Sequence, residues 1–175
     1  MKKRILTVFA LLCAVFCLGG CSSNQGVDVS SIEWVTESYE DYFTFQVPIQ
    51  WDAGDLGMYW DEDETAFPGM LFILDTPSFL WNAGPGTPLE NFLESELTSL
   101  DSSESLLAQE DMAIDEKRGC HYTLEVSYET ETGTDSYNSD YYAFEAGEAI
   151  IVMNFSESTN TEVKNHIINS IQINT

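Results

Sequence analysis

Apolar and polar positions recur along the chain with two periods, and each period predicts its own elements. Tyr42 to Val47 alternates, which puts Phe43, Phe45 and Val47 on one face of a strand. Pro48 ends that strand, and Trp51 follows in a turn. Leu56 to Trp60 predicts a second short strand. Met70 to Leu74 is apolar on both faces, as a central strand is. Leu106 to Ile114 reads as a strand that Gln109 to Asp111 weaken. Gly119 to Glu129 alternates cleanly: Cys120, Tyr122, Leu124, Val126 and Tyr128 face one way, His121, Thr123, Glu125, Ser127 and Glu129 the other. Thr130 to Ser136 reads as a polar turn around Gly133. Tyr141 to Glu145 and Ala149 to Phe155 flank Ala146-Gly147, the pattern of a hairpin.

Helical spacing occurs twice. Leu89, Phe92, Leu93, Leu97 and Leu100 form one stripe behind a start signal, in which Thr87 caps, Pro88 occupies the first turn and Glu90 reaches back. Glu96 interrupts the stripe; its carboxylate either snorkels to the helix edge or pairs with Lys117 or Arg118. Val163, Ile167, Ile168 and Ile171 form the arc of a final helix that Ser158 to Asn160 can cap. The same spacing leaves His166 on the solvated side. Thr76 to Pro88, with three prolines, two glycines, Phe79 and Trp81, reads as a long loop. The elements together predict an α+β fold: an αβα sandwich whose central, mostly antiparallel sheet of about six or seven strands carries helices on both faces.

The first twenty residues follow another logic. Lys2, Lys3 and Arg4 precede an apolar run from Ile5 to Leu18, too short to span a bilayer as a helix and suited to a signal segment. The run ends in Leu18-Gly19-Gly20-Cys21, which resembles the lipobox of bacterial lipoproteins. That resemblance implies cleavage before Cys21 and acyl chains on it, and two or more such chains anchor a protein stably. The expected organisation is a signal peptide over 1–20, a lipidated cysteine with a flexible tether over 21–38, and one domain over 39–175. The expected location is the extracytoplasmic face of a cell membrane.

Charge narrows the partners. The chain has 30 acidic residues against 6 Lys and Arg, a net charge of −24. Cleavage removes three of those cations and no acid, leaving −27. Such a surface repels nucleic acid and anionic lipid, and favours basic partners or divalent cations. Cys13 and Cys17 leave with the signal and lipid uses Cys21, so Cys120 is expected to be a free, buried thiol.

No catalytic constellation stands out. Cys120 and His121 are neighbours on a strand and therefore point to opposite faces. No G-x-S-x-G, H-E-x-x-H or phosphate-binding loop is present, and no lysine follows Gly84-Pro85-Gly86. Asp61 to Glu64 is an acidic loop. An EF-hand starting at Asp61 needs glycine sixth and glutamate twelfth, where the chain has Ala66 and Phe72. No cofactor or metal is therefore expected. Trp60, Phe79 and Trp81 lie in or beside loops and are candidate anchors for a partner, the alternative being that they cover one end of the sheet.

The run Phe45-Gln46-Val47-Pro48-Ile49-Gln50-Trp51 resembles the strand, Pro, then Trp opening of PsbP-like domains. The helix after Pro88, the late hairpin and the closing Ile167-Ile168-Asn169-Ser170-Ile171 follow the same order. The resemblance covers Tyr42 to Ile173. It implies an αβα sandwich and a role in binding or assembling partners; it supplies no catalytic residue. The function expected is a membrane-anchored, monomeric, non-catalytic module with a protein partner. The alternatives are a small-molecule or cation-binding lipoprotein and, third, an enzyme.

Overall fold

The computed structural model describes residues 28–54, 57–61 and 69–174. Among the described residues, ten strands form two antiparallel sheets. The smaller comprises β1 (Trp34–Tyr39), β2 (Phe43–Pro48) and β10 (Gln172–Ile173), in the order β1-β2-β10. The larger comprises β3 (Asp52–Ala53), β4 (Met58–Trp60), β5 (Met70–Pro77), β6 (Glu104–Ile114), β7 (Lys117–Thr130), β8 (Gly133–Ala146) and β9 (Ala149–Phe155). Its spatial order is β3-β4-β5-β9-β8-β7-β6. The helices are α1 (Pro88–Thr98) and α2 (Thr161–Asn169).

The centre of the large sheet is β9, all seven of whose residues are buried. Its alternate side chains enter two cores, as the two-residue period of a strand requires. Ile150 and Val152 meet Leu89, Phe92 and Leu93 of α1, with Cys120, Tyr122 and Leu124 of β7 beside them. Ile151, Met153 and Phe155 meet Val163, Ile167 and Ile168 of α2 and Phe43, Phe45 and Val47 of β2. Along the α1 face, Met70, Phe72, Val126 and Tyr137 close a third cluster.

The α1 start signal is a complete capping box. The Glu90 amide donates to Thr87 Oγ1, and the Thr87 amide donates to Glu90 Oε2 at 2.8 Å. Glu96 is half-buried, and Arg118 pairs with Glu90 and Asp111.

The expected layers are present, with α1 on one face of the large sheet and α2 together with the small sheet on the other. β10 and β3 are two residues each and too short for any period to show. Three other expectations need correction. Trp34–Tyr39 pairs fully with β2, so it belongs to the folded body and not to a tether over 21–38. The polar stretch after Thr130 is strand. Thr130 faces Gly133 across a two-residue turn, and β8 runs for 14 residues. Its polar side chains lie on a hairpin whose other face carries Tyr137 into the core. Finally, Thr76–Pro77 continues β5, and Ser78–Trp81 forms a 3-10 turn within the expected loop.

Candidate functional site

Where α2 crosses the outer strands, it leaves part of the sheet open. Glu110, Met112, His121, Asp140 and Tyr142 rise from β6, β7 and β8; Thr161, Lys164, Asn165, Ile168 and Asn169 face them from α2. They enclose a cleft of about 350 Å³.

Strand register brings the sheet residues together. Glu110 lies opposite His121 on β7, Tyr142 lies opposite His121 on its other side, and Asp140 lies opposite Thr123. Each pair shares the face that points toward α2. The His121 ring stacks on Tyr142 with centroids 4.4 Å apart. Its Nδ1 lies 3.0 Å from Glu110 Oε1 and its Nε2 3.3 Å from Asp140 Oδ1. Thr123 Oγ1 donates to the same Asp140 oxygen at 2.7 Å, and Lys164 Nζ donates to Asp140 Oδ2. Lys164 is only 8% exposed.

These contacts set the charge states. The hydrogen bond to Asp140 pushes the His121 pKa up, burial works against it, and Glu110 adds to the rise. Burial opposes ionisation of Asp140, yet the hydrogen bonds from His121, Lys164 and Thr123 outweigh it and hold the carboxyl well below the usual range. Burial pushes the Tyr142 hydroxyl well up, and the charges of Asp140 and Glu110 add to that. The cluster therefore favours a protonated His121 beside an ionised Asp140.

Cys120 points into the α1 core and is fully buried, with its thiol pushed up by burial. As alternation requires, it forms no nucleophile–base pair with His121. His166 departs from its expected solvated position. Its ring stacks on Trp34 with centroids 3.7 Å apart, its Nε2 lies 2.9 Å from Gln46 Oε1, and burial lowers its pKa.

The candidate anchors do not converge. Trp60 lies half-buried in β4 opposite Met70, the first residue of β5, and packs on the third cluster. Phe79 and Trp81 follow Pro77, at the other end of β5. Phe79 is 68% exposed; Trp81 is half-buried, edge-on to Phe92 with centroids 5.2 Å apart, and donates Nε1 to Thr76 Oγ1. Leu18, Gly19, Gly20 and Cys21 lie outside the described residues, as do Glu62 to Glu64 of the acidic loop. Among the described residues no group of three His, Cys, Asp or Glu is arranged to hold a metal ion, and no helix is long and apolar enough to cross a membrane.

Sequence reasoning missed Glu110, Asp140 and Lys164. A signal existed for Lys164, which stands at helical spacing from Ile168 and Ile171. Asp140 shares the parity of Tyr142 and Phe144, but that shows only once the strand is known to reach it. For Glu110 nothing in the sequence pointed to a cleft.

No family model and no curated protein matches the sequence. Solved structures do match. The Ran-binding protein Mog1p of Saccharomyces cerevisiae aligns with a TM-score of 0.51 at 9% identity, over 82% of this chain and 96% of that one. Cyanobacterial PsbP (CyanoP) from Synechocystis sp. PCC 6803 aligns with a TM-score of 0.46 at 18% identity, over 89% and 98%. LpqN of Mycobacterium tuberculosis, involved in cell envelope biogenesis, aligns with 0.43 at 12%, over 83% and 92%. At such identities the likeness concerns architecture alone, and that architecture is the PsbP-like α+β fold.

Proposed function

We propose that this protein is a lipoprotein, anchored on the extracytoplasmic face of a membrane through Cys21, that binds a protein partner and performs no catalysis. The anchor rests on the charged start, the short apolar run and Leu18-Gly19-Gly20-Cys21. The observation that carries the binding role is the 3-10 turn at Ser78–Trp81. It presents Phe79 and Leu80 at 68% and 46% exposure while Trp81 pins the turn to Phe92. A pinned turn offers large apolar side chains at little entropic cost, as interface anchors do. The fold is shared with Mog1p, itself a Ran-binding protein. The charged cleft supports the non-catalytic reading. Both ring nitrogens of His121 lie on carboxylates, which leaves neither open to take a proton from a substrate.

Two measurements test the proposal in the native host. Fractionation should find the wild type with membranes and Cys21→Ser in the soluble extracytoplasmic fraction; unprocessed wild type in the cytosol would overturn the anchor. A photo-crosslinking residue at position 79 should capture one discrete protein, while the same group at Thr132, on the hairpin tip, captures none. Equal or absent capture at both positions would overturn the binding surface.

A further inference from the structure

We propose that the cleft between α2 and β6–β8 binds a small organic ammonium ion, its charged end on Glu110 and the amide oxygens of Asn165 and Asn169, its hydrocarbon part on Met112 and Ile168. The inference is independent of the membrane anchor and of the Phe79 surface.

The cleft's own cations are already engaged. Lys164 Nζ donates to Asp140, and both ring nitrogens of His121 lie on carboxylates. An anionic ligand would have to break those contacts. The acceptors are less committed. The Glu110 side chain is 72% exposed and spends only Oε1 on His121. Asn165 and Asn169 stand exposed at the mouth, and among the described residues neither side chain is hydrogen-bonded. A primary ammonium carries three donors and no acceptor, which matches that set. Met112 is half-buried and Ile168 is buried, so an apolar strip runs beside the polar mouth. A cleft of about 350 Å³ is at the small end of ligand sites, the size for a short amine. The net charge of −24 draws cations toward it and repels anions.

His121 makes the binding pH-dependent. Glu110 of β6, Asp140 and Tyr142 of β8 and Lys164 of α2 face it. A protonated His121 neutralises Glu110 in place of the ligand. Deprotonation frees that charge, so affinity rises with pH while the amine stays ionised.

The test is calorimetric titration of the full chain in non-ionic detergent with 1-aminobutane, with succinate and glucose as anionic and neutral probes. We expect saturable one-site binding of the amine at pH 8, weaker at pH 5.5, and no saturable binding of the other two. Glu110→Gln should weaken the amine by about tenfold or more, since a charge-assisted contact is lost. Asn165→Ala should weaken it less, and Glu131→Gln at the hairpin tip should change nothing. His121→Gln should bind at pH 8 and lose the pH dependence. Absent saturation, equal losses at Glu110 and Glu131, preferred binding of succinate or glucose, or a pH dependence that survives His121→Gln would each overturn the inference. Thermal melts of Glu110→Gln and Asn165→Ala, expected unchanged, show that any loss is not unfolding.

Discussion

Lys164 occupies a buried position on α2 beside Val163, Ile167 and Ile168. An ammonium there gives up contact with water, and Asp140 supplies the compensation. Removing one partner of such a pair leaves the other exposed to the penalty. Lys164→Met should therefore cost about 3 kcal/mol, the low end for broken buried pairs, because Asp140 keeps His121 and Thr123. The double variant Lys164→Met with Asp140→Asn should recover part of that loss in urea unfolding; additive losses would show that the two residues are not coupled. The pH response follows from the signs. His121 titrates above its ordinary value, so its contribution is full below about pH 6.5 and is lost as pH rises through the raised value. Asp140 titrates below its ordinary value, so its contribution is present above about pH 3.9 and is lost as pH falls through the lowered value. His166 runs against His121: burial lowers its pKa, and its contribution fades on acidification. The difference between wild type and His121→Gln isolates the first effect. It should favour wild type more at pH 5.5 than at pH 8.5, and a difference that is flat or reversed would refute the pairing of His121 with Asp140.

At the scale of elements, α1 shows how a local signal and tertiary packing combine. The capping box satisfies amides at the helix start, and Leu89, Phe92 and Leu93 bury the opposite arc. Thr87→Ala should cost about 1 kcal/mol, read from chemical denaturation. The neighbouring 3-10 turn separates two roles. Trp81→Ala should lower the melting temperature, because Trp81 packs edge-on against Phe92. Phe79→Ala should leave it unchanged and reduce partner capture. A melting temperature indifferent to Trp81 would mean that it is not part of the α1 core. Of the two, α1 was legible in the sequence, since a cap and a stripe are local patterns; the 3-10 turn was not, because the prolines and glycines around it read only as a loop. The edge strand β6 was legible only in part. Its acids and the irregularity between Leu106 and Ala108 weaken the pattern, and the same features discourage pairing with another chain.

Across the whole molecule the dominant physical quantity is charge. A net −24 on a body of this size repels itself, and the repulsion among exposed groups is screened by salt. The melting temperature should rise between 10 mM and 500 mM sodium chloride; a fall would mean that ion pairs such as Arg118 with Glu90 and Asp111 outweigh the repulsion. The same field bears on the cleft, where an approaching cation is drawn in before it meets Glu110.

Taken alone, the sequence determined what depends on neighbours along the chain. Alternation assigned the faces of β2 and β7, and helical spacing assigned α1 and the buried arc of α2. Those patterns hold because a side chain's direction follows from its position within one element. Tertiary structure decided what depends on which elements become neighbours. It paired β10 with β2, divided the strands between two sheets, and brought Glu110, His121, Asp140 and Lys164 from four elements into one cleft. In so acidic a chain a carboxylate's role is invisible until strand register shows which charge it faces.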